Sequence, residues 1–169
     1  MKQYELYLIR HGRAEEQSAT GHDKDRVLSK EGVTRLQQSS AMLSRLIKQP
    51  DTMICSPYAR AQQTAQVLRS TIPIWSDANL STSKELIPYA DPCFILHELI
   101  VTPGSRIVLF GHCPYLPLLA SKLLVPSLYT LDFALSRGGV MAFSVIQESV
   151  QVWRARLLWM ANPTLLGVQ

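Results

Sequence analysis

The segment at residues 4–12, with the sequence YELYLIRHG, decides the fold of this chain. Its first six residues form a compact apolar run rich in residues that favour β-structure. The polar step Arg10-His11-Gly12 follows directly. This pattern predicts a buried strand that ends in a turn, with two ionisable side chains at its carboxyl end.

Strand and helix patterns alternate along the rest of the chain. Ser29 is suited to cap a helix that begins at Lys30 and keeps a three-and-four spacing of apolar positions. Ser56 and Pro57 predict a second helix, with the serine as its cap and the proline at its first position. The other predicted helices span residues 91–101 and 114–124, and the other predicted strands span residues 51–55, 72–75, 106–110, 140–146 and 152–158.

This alternation predicts a three-layer α/β/α sandwich with a mostly parallel sheet. The chain has 169 residues, of which 47% are hydrophobic and 18% are charged, so we expect one ordered domain over residues 1–169 rather than a disordered chain. The net charge of +4, without any run of five basic residues, is too small to indicate a nucleic-acid partner.

Cysteine and histidine usage argues against a metal site and against a disulfide framework. The three cysteines include no CxxC pair, and the four histidines include no HxxxH pair. Residues 107–125 are apolar enough to raise the question of a membrane span, but they contain His112, Lys122 and two prolines. A strand, a turn and a helix explain this stretch better, and we expect a cytoplasmic protein without a membrane partner.

Ionisable side chains follow three of the predicted strands at their carboxyl ends. Arg10 and His11 follow the first strand, Arg60 lies one turn into the helix after the second, and His112 follows the strand at 106–110. Ligands of parallel α/β sheets bind beyond the carboxyl ends of the strands. Each of these residues alone is more often a surface charge or a turn residue, and it is their coincidence at one edge of the sheet that indicates a functional site.

This set of side chains suits a phosphate. Guanidinium groups present forks of donors to phosphate oxygens, and a helix that begins near Ser56 adds its positive end. An imidazole in such a pocket can attack phosphorus and form a phosphohistidine intermediate. The chain has no Walker loop, GxGxxG, GxSxG or HExxH motif.

Five segments resemble, in order, motifs of the histidine phosphatase superfamily, whose members are similar to phosphoglycerate mutases. Residues 8–12 (LIRHG) resemble its first signature, and residues 56–65 (SPYARAQQTA) resemble its S-P-x-x-R-A-x-x-T-A segment. The other matches are residues 26–32 (RVLSKEG), residues 108–114 (VLFGHCP) with the second histidine, and Gly138-Gly139-Val140 ahead of a late strand.

The resemblance implies a role for each matching residue. His11 would be the phosphorylated nucleophile, and Arg10, Arg60 and His112 would line the phosphate pocket. Glu85 lies where larger members carry the general acid that protonates the leaving group, although an ordinary exposed or capping carboxylate is nearly as good an interpretation. The expected substrate-binding residues are Arg26, Gly12 and Ser56, and the family needs neither a metal nor an organic cofactor.

The short length, the His112-Cys113-Pro114 step and the terminal segment 159–166 are similar to SixA-type phosphohistidine phosphatases. The expected partner is then a phosphorylated protein, namely a histidine-containing phosphotransfer domain in a signalling pathway. A small-molecule phosphatase that acts on a sugar or nucleotide phosphate, with Glu85 as its acid, is the alternative. A phosphate-binding protein without activity is a third hypothesis, which the complete set of two histidines and two arginines disfavours.

Overall fold

The structure is a computed structural model that describes residues 1–125, 130–149 and 152–168. Short 3-10 turns lie between the main elements at Asp23–Asp25, Pro73–Trp75 and Lys84–Leu86, and another follows the last strand at Pro163–Leu166. The strands are β1 (Lys2–Arg10), β2 (Thr52–Cys55), β3 (Asn79–Thr82), β4 (Arg106–Gly111), β5 (Val140–Gln147) and β6 (Trp153–Ala161). The helices are α1 (Lys30–Leu46), α2 (Ala59–Thr71), α3 (Pro92–Val101) and α4 (Tyr115–Leu124).

The strands form one six-stranded sheet in the order β3-β2-β4-β1-β5-β6. β4 pairs in parallel with both β1 and β2, and β2 pairs in parallel with β3. The last two strands run antiparallel to their neighbours, as a closing hairpin does. The prediction of a mostly parallel α/β sheet is therefore confirmed.

Two hydrophobic clusters cover the two faces of the sheet. On one face, Leu43 of α1 and Leu68 of α2 are buried in the same cluster as Ile9 of β1. On the other face, Leu96 of α3 and residues of α4 pack with Leu8 of β1. Leu8 and Ile9 point to opposite faces because side chains alternate along a strand. The continuous apolar run of β1 is thus buried on both sides, and the three-layer sandwich is confirmed.

The apolar stretch at residues 107–125 forms a strand, a turn and a helix, as the sequence indicates. Its strand residues are completely buried in the centre of the sheet, and α4 packs one face of its length against the core. Lys122 lies in the last turn of α4, where a cation is favoured by the helix dipole. Within the described ranges, no helix is both long and apolar enough to cross a membrane.

The predicted N-cap residue is confirmed for α1 but not for α2. The Oγ atom of Ser29 accepts the N–H of Gly32 at 3.0 Å, so the predicted cap of α1 is confirmed. The predicted cap at Ser56 is wrong, because Tyr58 is the N-cap and α2 begins at Ala59. The Oγ atom of Ser56 accepts the N–H of Tyr58 at 3.3 Å, just before the helix, and lies 2.8 Å from His112 Nε2, which gives this side chain a tertiary contact as well.

The predicted strand at residues 72–75 is also wrong. This segment contains the 3-10 turn Pro73–Trp75, and the indole N–H of the fully buried Trp75 donates to the carbonyl of Ile47 at 3.4 Å. The third strand is β3, a mostly exposed edge strand with the polar sequence NLST. The apolar segment packs beside α1 and α2 as a turn, whereas β3 has only one apolar residue, Leu80, and no apolar run that would predict a strand.

The topology places a crevice at the carboxyl ends of β1 and β4. These two strands are neighbours with Arg10 and Gly111 in register, but α1 and α4, which follow them, cover opposite faces of the sheet. Because the backbone leaves β1 toward one face of the sheet and leaves β4 toward the other, a space opens between the two departing segments. The N–H of His11 donates to the carbonyl of Gly111 at 3.0 Å, which holds the chain after β1 against the end of β4.

Candidate active site

The structure brings His11, His112, Arg60 and Ser56 together in this crevice. The two imidazole rings have centroids 5.1 Å apart, and the Nε atom of Arg60 lies 3.3 Å from His11 Nε2. His11 is 8% exposed, Arg60 5% and His112 1%. Side chains from the first turn of α2 and from the residues directly after β1, β2 and β4 thus meet at one nearly buried point, as their positions in the sequence predict.

Hydrogen bonds set the tautomer of His11. Its Nδ1 atom lies 2.7 Å from the carbonyl oxygen of Gly12, and since a carbonyl can only accept, the proton of a neutral ring resides on Nδ1. The Nε2 atom then carries a lone pair and accepts the Nε–H of Arg60. The free lone pair of the neutral His11 ring is therefore on Nε2 and not on Nδ1.

Burial and surrounding cations keep both imidazoles neutral. Burial is the main cause that lowers the pKa of His11 to about 4, and the charges of Arg60, Arg10 and Arg137 act in the same direction. Burial, together with His11 and Arg60, lowers the pKa of His112 to about 3. At neutral pH, His11 therefore retains the lone pair that nucleophilic attack requires.

These pKa shifts predict how the two histidines titrate. By NMR, the imidazole signals of His11 and His112 in the free protein should show the neutral form throughout pH 5.5–8, with protonation only near or below pH 4. The unfolded chain takes up protons on these residues below about pH 6.5 while the folded chain does not, so the free energy of unfolding should fall as the pH drops toward 4. Titration of His11 at or above pH 6.5 would contradict this account.

Two buried polar atoms beside His11 have no partner among the described residues. They are Arg10 Nε and His112 Nδ1. The Nη1 group of Arg10 donates to the carbonyl of Leu135 at 2.6 Å, which orients the guanidinium. When the hydroxyl of Ser56 donates to His112 Nε2, the Nδ1 atom carries the proton and is also a donor. Buried donors of this kind suit an anionic oxygen.

Asp23, which the sequence analysis missed, holds the far side of Arg60. The Nη1 and Nη2 groups of Arg60 donate to the Asp23 carbonyl at 2.7 Å and to its Oδ2 atom at 3.0 Å. The ring of Tyr58 lies 5.1 Å from both the Arg60 guanidinium and the His112 ring. In the sequence, the only signal for this role of Asp23 was its three-residue spacing from Arg26 in a polar loop. In the structure, these two side chains form an ion pair at 2.9 Å.

Arg26 is connected to this cluster through a side chain, whereas Gly12 is held beside it by its backbone N–H. Arg26 donates to the Glu15 carbonyl at 2.7 Å and to Asp23, so its connection to Arg60 passes through the Asp23 carboxylate. Gly12 donates its N–H to Thr64 Oγ1 at 3.0 Å. A Cβ atom at Gly12 would lie 2.9 Å from Leu36 Cδ1, so the position leaves little room for a side chain.

The motif at residues 26–32 anchors the chain that follows His11. The N–H of Ser29 donates to the carbonyl of Arg13 at 3.0 Å. A Cβ atom at Gly32 would lie 2.1 Å from that same carbonyl oxygen, which is closer than two atoms can approach. The serine that caps α1 and the glycine in its first turn therefore hold the backbone directly after Arg10-His11-Gly12 in place.

Glu85 lies in the turn Lys84–Leu86, directly after β3. Its carboxylate is 4.0 Å from Lys84 Nζ. The pKa of Tyr115 is raised mainly by burial, and the negative charge of Glu85 contributes to the same shift. Among the described residues, no hydrogen bond joins this carboxylate to His11 or His112. Its role as a general acid stays a prediction.

The remaining candidate ligands do not gather into a metal site. Among the residues that the structure describes, no group of three or more His, Cys, Asp and Glu side chains is arranged to hold a metal ion. Cys55, Cys93 and Cys113 are free thiols. Burial raises the pKa of Cys55 to about 11 and also raises that of Cys113, so both are thiols rather than thiolates at neutral pH.

Comparisons with known proteins agree with this architecture. The family model of the histidine phosphatase superfamily (branch 1) matches residues 6–83. An uncharacterised protein of Picosynechococcus sp. is 30% identical over 117 residues, which are 65% of this chain and 67% of that protein. The match to the family model contains Arg10, His11 and Arg60.

Solved structures of two phosphatases share the fold. The protein histidine phosphatase SixA, complexed with tungstate, superposes with a TM-score of 0.76 at 21% identity, over 96% of this chain and 99% of SixA. A mycobacterial glucosyl-3-phosphoglycerate phosphatase superposes with a TM-score of 0.69 at 16% identity, over 94% and 99% of the two chains. At such identities the likeness concerns the fold.

The fold and the family match define a hydrolase of the phosphatase class. The chain belongs to the histidine phosphatase superfamily.

Proposed function

We propose that this chain is a phosphohistidine phosphatase, which removes the phosphoryl group from a histidine of a signalling protein through an intermediate on His11. The observation that carries the proposal is the His11 ring, whose Nδ1–H donates to Gly12 and whose Nε2 lone pair lies 3.3 Å from Arg60 Nε. This side chain is nearly buried, neutral and already oriented for attack.

In the first step, His11 Nε2 attacks the phosphorus of the substrate. The new P–N bond forms as the P–N bond of the substrate breaks, and the departing imidazole takes up a proton. Water then attacks the phosphorylated His11 and releases inorganic phosphate, which regenerates the free imidazole. Arg10, Arg60 and His112 would stabilise the negative charge on the transferred group, since all three lie beside His11.

The position of Glu85 favours a phosphoramidate over a phosphate ester. A P–N bond to imidazole is intrinsically labile, so its cleavage depends less on a strong general acid than cleavage of an alkyl ester does. None of the hydrogen bonds of the described residues connects Glu85 to the histidine pair. The chain also superposes on the protein histidine phosphatase SixA with a TM-score of 0.76, higher than the 0.69 for the glucosyl-3-phosphoglycerate phosphatase.

A small-molecule phosphomonoesterase is the second candidate. β3 runs parallel to β2, so Glu85, which follows β3, lies on the same edge of the sheet as the histidines. The fold is likewise that of a glucosyl-3-phosphoglycerate phosphatase.

A kinetic panel separates these candidates. The kcat/KM values of the wild type and of Glu85→Gln should be measured on a phosphorylated histidine-containing phosphotransfer domain, on sugar phosphates and on nucleoside monophosphates. We expect the phosphohistidine protein to be the best substrate and Glu85→Gln to change its kcat/KM by less than about threefold, well below the effect of losing a true general acid. Glu148→Gln is the control, since Glu148 follows β5 at the opposite edge of the sheet.

Other outcomes would contradict the proposal. Efficient turnover of one metabolite that depends on Glu85, without turnover of the phosphohistidine protein, would establish the phosphomonoesterase. Failure to hydrolyse any phosphoester or phosphoramidate in the panel would favour a phosphate-binding protein.

A further inference from the structure

Four arginines line a second cavity that borders the candidate active site. Its volume is about 360 Å³, and its lining consists of Arg10, Arg13, Arg35 and Arg137 together with Ser136. Arg10 is shared with the phosphate pocket, where its charge contributes to lowering the pKa of His11. The cavity therefore adjoins the reacting group.

The backbone positions Arg137 next to the end of β1. The N–H of Gly138 donates to the carbonyls of both Arg10 and His11, at 3.1 Å each. Gly138 has a φ of +77°, a conformation that glycine adopts without strain. The turn before β5 thus ties Arg137 to the same strand end that presents His11.

The positive charge of this cavity is only partly compensated. The Glu31 carboxylate pairs with Arg13 at 2.6 Å and with Arg35 at 3.3 Å. The described residues provide no ion pair for Arg137, and the guanidinium of Arg10 donates to a neutral carbonyl. Like charges gathered around one cavity repel one another, so an anion that enters it relieves this repulsion.

We infer that this arginine cavity is a second anion subsite, which receives a carboxylate or phosphate group of the substrate close to the phosphoryl group that is transferred. With the phosphohistidine substrate proposed above, on which this assignment rests, the occupant is a Glu or Asp side chain near the phosphorylated histidine. Guanidinium forks bind carboxylates in a two-point geometry, so the subsite selects acidic surroundings of the phosphorylated residue.

The test uses two synthetic phosphohistidine peptides, one with Glu residues around the phosphohistidine and the other with Gln at the same positions. We expect the wild type to prefer the Glu peptide by about tenfold in kcat/KM, or about 1.4 kcal/mol, because the Glu side chains form ion pairs with partly exposed guanidinium groups. The double variant Arg35→Gln/Arg137→Gln should reduce this ratio to near one. The preference of the wild type should also weaken as the salt concentration rises.

Arg45→Gln provides the matched control. It removes the same charge from the same helix, but Arg45 lies ten residues beyond Arg35, or about 15 Å along α1, and should leave the ratio unchanged. A ratio that stays near tenfold in the double variant would overturn the inference. If the double variant fails to fold, as judged by circular dichroism, the single variants Arg35→Gln and Arg137→Gln are tested, and each should lower the ratio.

A second pair of substrates separates this inference from the proposed function. These substrates are fructose 6-phosphate and fructose 1,6-bisphosphate, which differ by one phosphate group, whereas the two peptides differ by carboxylate groups. If neither peptide is hydrolysed, but the bisphosphate is preferred in an arginine-dependent manner, the proposed function fails while the anion subsite holds. If the peptides are hydrolysed without any preference, the proposed function holds and the subsite is rejected.

Discussion

His11→Ala is expected to lower kcat for hydrolysis of a phosphohistidine protein by about four orders of magnitude or more, which is the scale seen when a covalent nucleophile is removed. The ring is held between the Gly12 carbonyl and Arg60 Nε, so its Nε2 lone pair is fixed in the crevice. With ³²P-labelled substrate, the wild type should yield an acid-labile label on His11, and the variant should yield none.

His97→Ala is the control for this experiment, because His97 is an exposed histidine on α3, away from the strand ends. It should retain both turnover and labelling. A fully active His11→Ala variant, or an acid-labile label trapped on another residue of the wild type, would refute the proposed role of His11.

Arg60→Ala is expected to lower kcat/KM by about 10²–10³-fold, the usual loss when one preorganised donor to a developing negative charge is removed. Arg60 donates to His11 Nε2 and is nearly buried, so solvent cannot replace its charge. Arg60→Lys should recover only part of the activity, because lysine restores a charge without the rigid fork of donors. Steady-state kinetics of both variants on one phosphohistidine substrate provide the measurement.

Two further variants show whether Arg60 acts on the reaction or only through the fold. Arg69→Ala removes an arginine from the same helix and should keep wild-type kcat/KM, since Arg69 binds the Ser76 carbonyl away from the site. Asp23→Asn removes the carboxylate charge that pairs with Arg60 and with Arg26 but leaves the Arg60 guanidinium in place. If Asp23→Asn reproduced the full loss of Arg60→Ala, Arg60 would be a structural anchor and its proposed role would be wrong.

Much of the fold follows from local sequence patterns. Apolar runs identified β1 and β4 because both strands are covered on two faces, and Ser29 identified the start of α1 because its hydroxyl caps the helix locally. Local patterns failed where side chains serve distant partners. The apolar segment at residues 72–75 packs as a turn instead of pairing as a strand, and the edge strand β3 has a single apolar residue, Leu80, and no apolar run to reveal it.

By itself, the sequence determined that Arg10, His11 and His112 would meet, because they directly follow strands whose carboxyl ends share one edge of a parallel sheet. Only the tertiary structure decided which side chains surround them. Asp23 and Arg137 come from a loop and a turn, and Arg35 comes from the surface of α1. No sequence period relates these positions to His11; their proximity depends on the path of the folded backbone, such as the two hydrogen bonds from Gly138 to the end of β1.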